Sequence, residues 1–157
     1  TSTRVTLSTA ASGSQTFNLV TTTAAITRNA ASTVDFILSG AGTNVVNVGS
    51  ANTIGNWATL TSAAGVTTFA TKDGSNNLVP VAMTTGDAVG SWTNSHVTDS
   101  SGYAGTAAAS AAVSSLRFNA AAASTVTIGA GNGLAIGGTV AGGILVTSNV
   151  EIGRAHV

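Results

Sequence analysis

The sequence predicts an all-β chain and, within that class, a parallel β-helix, on three observations. Apolar residues recur with a period of two, as on a strand, and not at the helical period. Short clusters of Gly, Asn, Ser and Asp punctuate the alternating stretches at close intervals. Aromatic residues are 4% of the 157-residue chain, too few for the large aromatic core usual in a β-sandwich. Coils built from Ala, Val and Thr, with Asn at corners where side-chain amides can ladder, fit that composition better.

The elements follow in order. Val5 and Leu7 open the series, then Phe17 and Leu19, then Val34, Phe36 and Leu38, then Val46 and Val48. In each, small or polar residues intervene, so the apolar side chains share one strand face and Thr, Ser and Asn take the other. Turn formers separate them: SGS (12–14), GAGTN (40–44), KDGSNN (72–77), GAGNG (129–133) and AGG (141–143). Gly and Asn supply the positive φ that tight turns require. The C-terminal part is the most regular, with pairs starting at Leu116, Val126, Leu134 and Ile144, a total step of 28 residues. Even spacing of short strands is the mark of a sandwich, a barrel or a solenoid. The stretch GTAAASAAVSS (105–115) and the run of alanines at 120–123 are the only helix-like passages. Ser and Thr interrupt them and no apolar stripe at helical period runs through, so a loose turn or a narrow alanine-packed strand is expected there.

Charge narrows the function classes. Charged residues are 6% of the chain and the net charge is zero, which leaves nothing to hold a phosphate backbone and argues against nucleic-acid binding. Disorder is also disfavoured, because net charge is absent, Pro80 is the single proline, and Val, Ile, Leu and Thr abound. No apolar run reaches the length of a membrane span, and no signal-peptide pattern is visible. Cysteine is absent, which excludes disulfides and thiolate metal sites. The first residue is Thr, so the start is read as processed, trimmed or truncated.

Five segments in fixed order carry a family resemblance: TRNAASTVDFIL (27–38), IGNWATL (54–60), TTFATKDGSNNLVPV (67–81), VSSLRFNAAAASTVTI (113–128) and GGILVTSNV (142–150). Together they resemble the autotransporter-associated β-strand repeat proteins, found in large surface proteins of Planctomycetes and Verrucomicrobia. The resemblance covers residues 17–150. It implies a right-handed parallel β-helix in the passenger-like part of a secreted or outer-surface protein, and it carries over no catalytic residue. Trp57 keeps part of the family's tryptophan-rich motif, while Phe69 stands where a second Trp is often seen.

Candidate chemistry was sought among the few polar outliers. Carbohydrate-active β-helices need two or more carboxylates close together. Asp35, Asp73, Asp87 and Asp99 fall on different strands or loops, and turn chemistry accounts for most of them. Asp35 alternates with Val34 and Phe36 and should point outward; Asp87 and Asp99 could approach one another across the 85–103 loop. KDGSNN offers Asp73, Asn76 and Asn77 as oxygen ligands for calcium but lacks the closing Glu of an EF-hand loop, so it reads as a plain turn. GAGNGLAIGG (129–138) lacks the spacing and Lys of a phosphate loop and reads as a tight corner. His96 has no serine elbow to serve. Trp92, His96 and Tyr103 form the one candidate for a sugar-stacking patch, with cover for the coil core as the plainer reading.

The reading that follows is a β-solenoid fragment over residues 1–150, incomplete at both ends. It would be a structural stalk or passenger segment with no catalytic residue, no cofactor and no metal. Its partners would be neighbouring coils of the same longer chain. A glycan- or surface-binding adhesin is the alternative, and a carbohydrate-active enzyme fragment comes after it. Residues 151–157, EIGRAHV, break the pattern by placing Glu151, Arg154 and His156 together. Back-translated as GAGATCGGAAGAGCACACGTC, the segment contains a widely used short-read sequencing adapter, so it is read as adapter-derived.

Overall fold

The computed structural model describes residues 2–19, 26, 27, 29–137 and 142–151. Of the tail read as adapter-derived, only Glu151 lies among the described residues. The chain is all-β, with mostly parallel strand pairing and no α-helix among the described residues, and it divides into two units, Thr1–Val81 and Ala82–Val157.

In the first unit, β1 (Ser2–Ser8) and β2 (Ser14–Asn18) arise from the first two alternating stretches. The chain then repeats the arrangement with β3 (Thr33–Ser39) and β4 (Thr43–Asn47). β3 lies parallel on β1 from Ser2↔Thr33 to Ser8↔Ser39, and β4 lies parallel on β2 from Ser14↔Thr43 to Asn18↔Asn47. β5 (Ala58–Thr61) adds a third parallel strand to β3. This register aligns Val5, Phe36 and Leu60 in one column, so each lap sets apolar on apolar. Phe36 and Leu60 are buried there with Leu7, Val46, Val48 and Ala58. The pair Phe17 and Leu19 departs from the expected burial at 38% and 37% exposure. β2 has β4 on one side only, so its side chains lack a covering neighbour on the other.

The expectation of uniformly parallel pairing fails in the next two strands. β6 (Thr67–Lys72) is antiparallel to β5, and β7 (Leu78–Pro80) is antiparallel to β6. Connection length decides this, because a parallel return needs a long crossover while a short turn can only reverse the chain. Residues 62–66 make a turn closed by Ser62 N to Val66 O, with Gly65 at φ +77°; residues 73–77 make another, with Asn76 at φ +65°. Pro80 ends β7, the edge strand of the sheet, where no amide donor is needed.

The second unit contains three ribbons. One sheet runs β8 (Thr84–Thr85), β9 (His96–Thr98), β12 (Ser115–Phe118) and β15 (Ile144–Val146), all parallel. The others pair β10 (Thr106–Ala107) with β13 (Thr127–Ile128), and β11 (Ala111–Val113) with β14 (Leu134–Ile136), again parallel. Chain order thus visits the three ribbons in turn, β9, β10, β11 and then β12, β13, β14, before β15 returns to the first. Leu116 pairs with Ile144, the 28-residue step seen in the sequence. The alanine-rich passage at 105–115 forms the short strands β10 and β11 and no helix. Side chains from all three ribbons meet in one core of Val97, Tyr103, Ala107, Val113 and Leu116, with Val126, Ile128, Leu134 and Ile136 packed against it.

Side-chain amides connect the corners of adjacent laps. Asn47 Nδ2 donates to Asn77 Oδ1 at 3.0 Å, Asn149 Nδ2 donates to Asn119 Oδ1 at 3.4 Å, and Asn44 Oδ1 accepts from Thr9 Oγ1 at 2.6 Å. Backbone contact is close at Gly40, whose φ is +80° and where any Cβ would collide with the carbonyl oxygen of Thr9 on the preceding lap. By contrast Gly74 has open space around its absent side chain and needs no positive φ. Gly40→Ala should therefore destabilise the first unit by about 2 kcal/mol or more, from the left-handed backbone penalty plus the collision. Gly74→Ala should stay within about 0.5 kcal/mol of the parent. Urea titration followed by circular dichroism compares the two.

Candidate functional site

The aromatic and charged residues singled out in the sequence lie in the second unit, and the structure puts them to different uses. A 3₁₀ turn, Val89–Ser91, precedes Trp92 and delivers its ring to the interior at 6% exposure. The indole Nε1 donates to Gly86 O at 2.8 Å. Tyr103, 1% exposed, meets Trp92 edge to face with centroids 5.0 Å apart and meets Phe118 in the same way at 4.9 Å. Both spacings fall in the favourable range for such pairs. The Tyr103 hydroxyl donates to Arg117 O at 2.8 Å and lies 3.1 Å from Val97 O, tying the carbonyls of β9 and β12. Burial, with the negative charge of Asp99 adding to it, pushes the phenol above its ordinary pKa.

A sugar-stacking patch made of Trp92, His96 and Tyr103 is therefore corrected to a core column. Both rings are buried, Trp92 against Tyr103 and Tyr103 against Phe118 in turn. His96 is half-buried, and its Nδ1 lies 2.8 Å from Ser115 Oγ on the paired strand. Burial lowers the imidazole pKa. Ser115 is itself at 0% exposure, so no substrate reaches this Ser–His pair.

Each carboxylate singled out in the sequence is engaged with local partners. Asp99, 3% exposed, accepts from the backbone amides of Asn119 and Ala120 on the next lap and from Ser124 Oγ at 3.4 Å. Asp87 reaches elsewhere, accepting from Ser100 N at 2.7 Å, Ser100 Oγ at 2.8 Å and Ser101 Oγ at 2.7 Å. Those three donors, the Ser100 amide foremost, hold its pKa at about 2, below the usual 3.8. Asp73 closes its own turn by accepting from Ser75 N and Asn77 N at 2.9 and 2.8 Å. Asp35 faces outward and takes Thr59 Oγ1 at 2.9 Å with Arg4 Nε at 3.6 Å. Arg117, buried at 9% exposure, donates from Nε to Thr98 Oγ1 at 2.9 Å, and burial works against its charge. Among the described residues no three His, Asp or Glu side chains gather as a metal set.

The first unit holds a recess of about 300 Å³ bounded by Val5, Leu19, Ile26, Val34, Phe36 and Trp57. Thr3, Thr27, Asn29, Ser32 and Thr33 add hydroxyl and amide groups to its rim, and no titratable side chain is among these lining residues. No local sequence pattern marks it, since its walls come from residues spread over more than fifty positions. Comparison with protein-family models, curated proteins and solved structures finds no match.

Two outcomes follow. Asp87 has a depressed folded pKa, so the stability it adds is full above about 3.8 and is lost as pH falls towards about 2. The melting-temperature gap between the parent and Asp87→Ala should be widest near neutrality and should narrow through that acid window in calorimetric scans. Tyr103→Phe should cost about 1–2 kcal/mol in urea unfolding, because two buried carbonyls lose their shared donor while ring packing remains.

Proposed function

We propose that the chain is a stretch of right-handed parallel β-helix serving as a stalk or passenger segment of a secreted or cell-surface, autotransporter-like protein. It has no catalytic role in this reading. The observation that carries it is the repeated parallel pairing of strands one lap apart, with no helix among the described residues to make the crossover. Parallel strands in most folds return through helices that cover the sheet. Here the return runs through further strands and tight corners, which is how a solenoid closes each lap. Right-handedness follows the rule obeyed by about 98% of parallel crossovers.

The resemblance of five ordered segments to autotransporter-associated repeats supports the surface location. The use of the carboxylates supports a passive role, because Asp73, Asp87 and Asp99 each accept hydrogen bonds from backbone amides instead of facing a cleft. The recess in the first unit has no carboxylate among its lining residues.

One experiment addresses the architecture and a second the role. In a solenoid each lap contacts only its neighbours, so a whole added lap is tolerated. Duplicating residues 116–143, the span between paired Leu116 and Ile144, should preserve a cooperative melt and raise the β-sheet signal in proportion. A chain that unfolds on this insertion is not built of stacked laps. For the role, the full chain on a glycan array, with hydrolysis products assayed in parallel, should show neither binding nor cleavage. Saturable binding to one glycan class would replace the stalk with the adhesin reading, and released sugars would replace it with an enzyme.

A further inference from the structure

The sequence contains a single Asn-Gly step, Asn132–Gly133, and it sits at the corner between β13 and β14. This dipeptide carries a self-modifying chemistry. The backbone nitrogen of the glycine attacks the side-chain carbonyl carbon of the asparagine, closing a five-membered succinimide and expelling ammonia. Water then opens the ring at either carbonyl, leaving aspartate or isoaspartate. Glycine permits the attack because it has no side chain to block the approach and its backbone turns freely.

Both reacting groups are hydrogen-bonded to the preceding lap. The Gly133 amide donates to Ser110 Oγ at 3.1 Å, and Asn132 Nδ2 donates to Ala108 O at 3.0 Å. The backbone around them is anchored as well, with Asn132 N on Gly129 O at 3.0 Å, Gly129 N on Ala107 O at 3.0 Å and Ala111 N on Gly133 O at 2.9 Å. For ring closure the Gly133 nitrogen must leave Ser110 and the Asn132 carboxamide must rotate away from Ala108. We propose that Asn132–Gly133 is a deamidation site kept latent by its stacking on residues 107–111, so that covalent change there records opening of this corner. The product would reinforce the opening. A carboxylate at position 132 has no hydrogen to offer Ala108 O and brings a negative charge towards it, and isoaspartate lengthens the backbone between β13 and β14 by one carbon.

The test is independent of any role at a cell surface. The full chain is held at mildly alkaline pH, once folded and once in urea, and peptide mapping by mass spectrometry follows the mass and isoaspartate content at position 132. Deamidation should be much slower in the folded chain. Ser110→Ala, at an exposed position, frees one of the two restraints and should raise the folded-state rate about fivefold. Gly133→Ala fits the fold, since a Cβ there meets nothing within 4 Å and no positive φ is required, and it should suppress the reaction in urea as well. Equal rates in folded and urea-held parent chains would overturn the proposal without recourse to any variant. An unchanged rate in folded Ser110→Ala would overturn the part assigned to Ser110.

Discussion

The in-register backbone ladder between one lap and the next is the constraint on which the remaining features depend. Once Ser2 is opposite Thr33 and Leu116 is opposite Ile144, the partner of each paired residue along those strands is fixed. A shift of one residue would turn the column of Val5, Phe36 and Leu60 out to solvent and bring Arg4 and Asp35 inward. Apolar burial therefore enforces register, and register in turn brings Asn47 to Asn77 and Asn119 to Asn149 at the corners.

The same ladder explains why the polar residues that looked chemical are structural. A corner between laps leaves amides that no strand can satisfy, and a buried unpaired amide is costly. Asp99 answers this by accepting the amides of Asn119 and Ala120 one lap away, while Tyr103 serves the opposite need by donating to strand carbonyls. These two side chains are linked electrostatically, since the negative charge of Asp99 contributes to raising the phenol's pKa. Such a site is built for holding. A general acid or base would need a free lone pair or proton facing a space that a substrate can enter.

Legibility in the sequence follows the reach of each interaction. Alternation is local, so the strand pairs and the 28-residue step from Leu116 to Ile144 could be read directly. Turn chemistry is local too, and KDGSNN was legible as a turn. The antiparallel β5–β6–β7 arrangement was harder, because connection length competes with a general preference for parallel laps, and the short turns at 62–66 and 73–77 decided it. Trp92 and Tyr103 lie among Ser, Asn, Asp and Gly, a context that reads as surface loop. Tyr103 is met edge to face by Phe118, fifteen residues further on, and Trp92 by Tyr103, and no local pattern encodes those contacts. The apolar recess was invisible for the same reason.

The scarcity of charge is a consequence of stacking and is not only a compositional habit. Register neighbours in a parallel ladder are about 4.8 Å apart. Two like charges at that spacing repel by about 1 kcal/mol in bulk water and about 3.5 kcal/mol in the effective dielectric near a protein surface. Repeated at every lap, that cost would exceed the stability of a typical domain. Neutral amides and hydroxyls give hydrogen bonds along the same direction without repulsion. The charges that do occur on strands obey the rule. Arg4 is opposite Asp35, Asp35 opposite Thr59, and Arg117 opposite Thr98 on one side and Leu145 on the other. Lys72 is opposite Leu78 and sends its ammonium group to Ser50 O at 2.9 Å. At none of these register positions do like charges face each other, so a composition with 6% charged residues suits in-register, mostly parallel strand pairing.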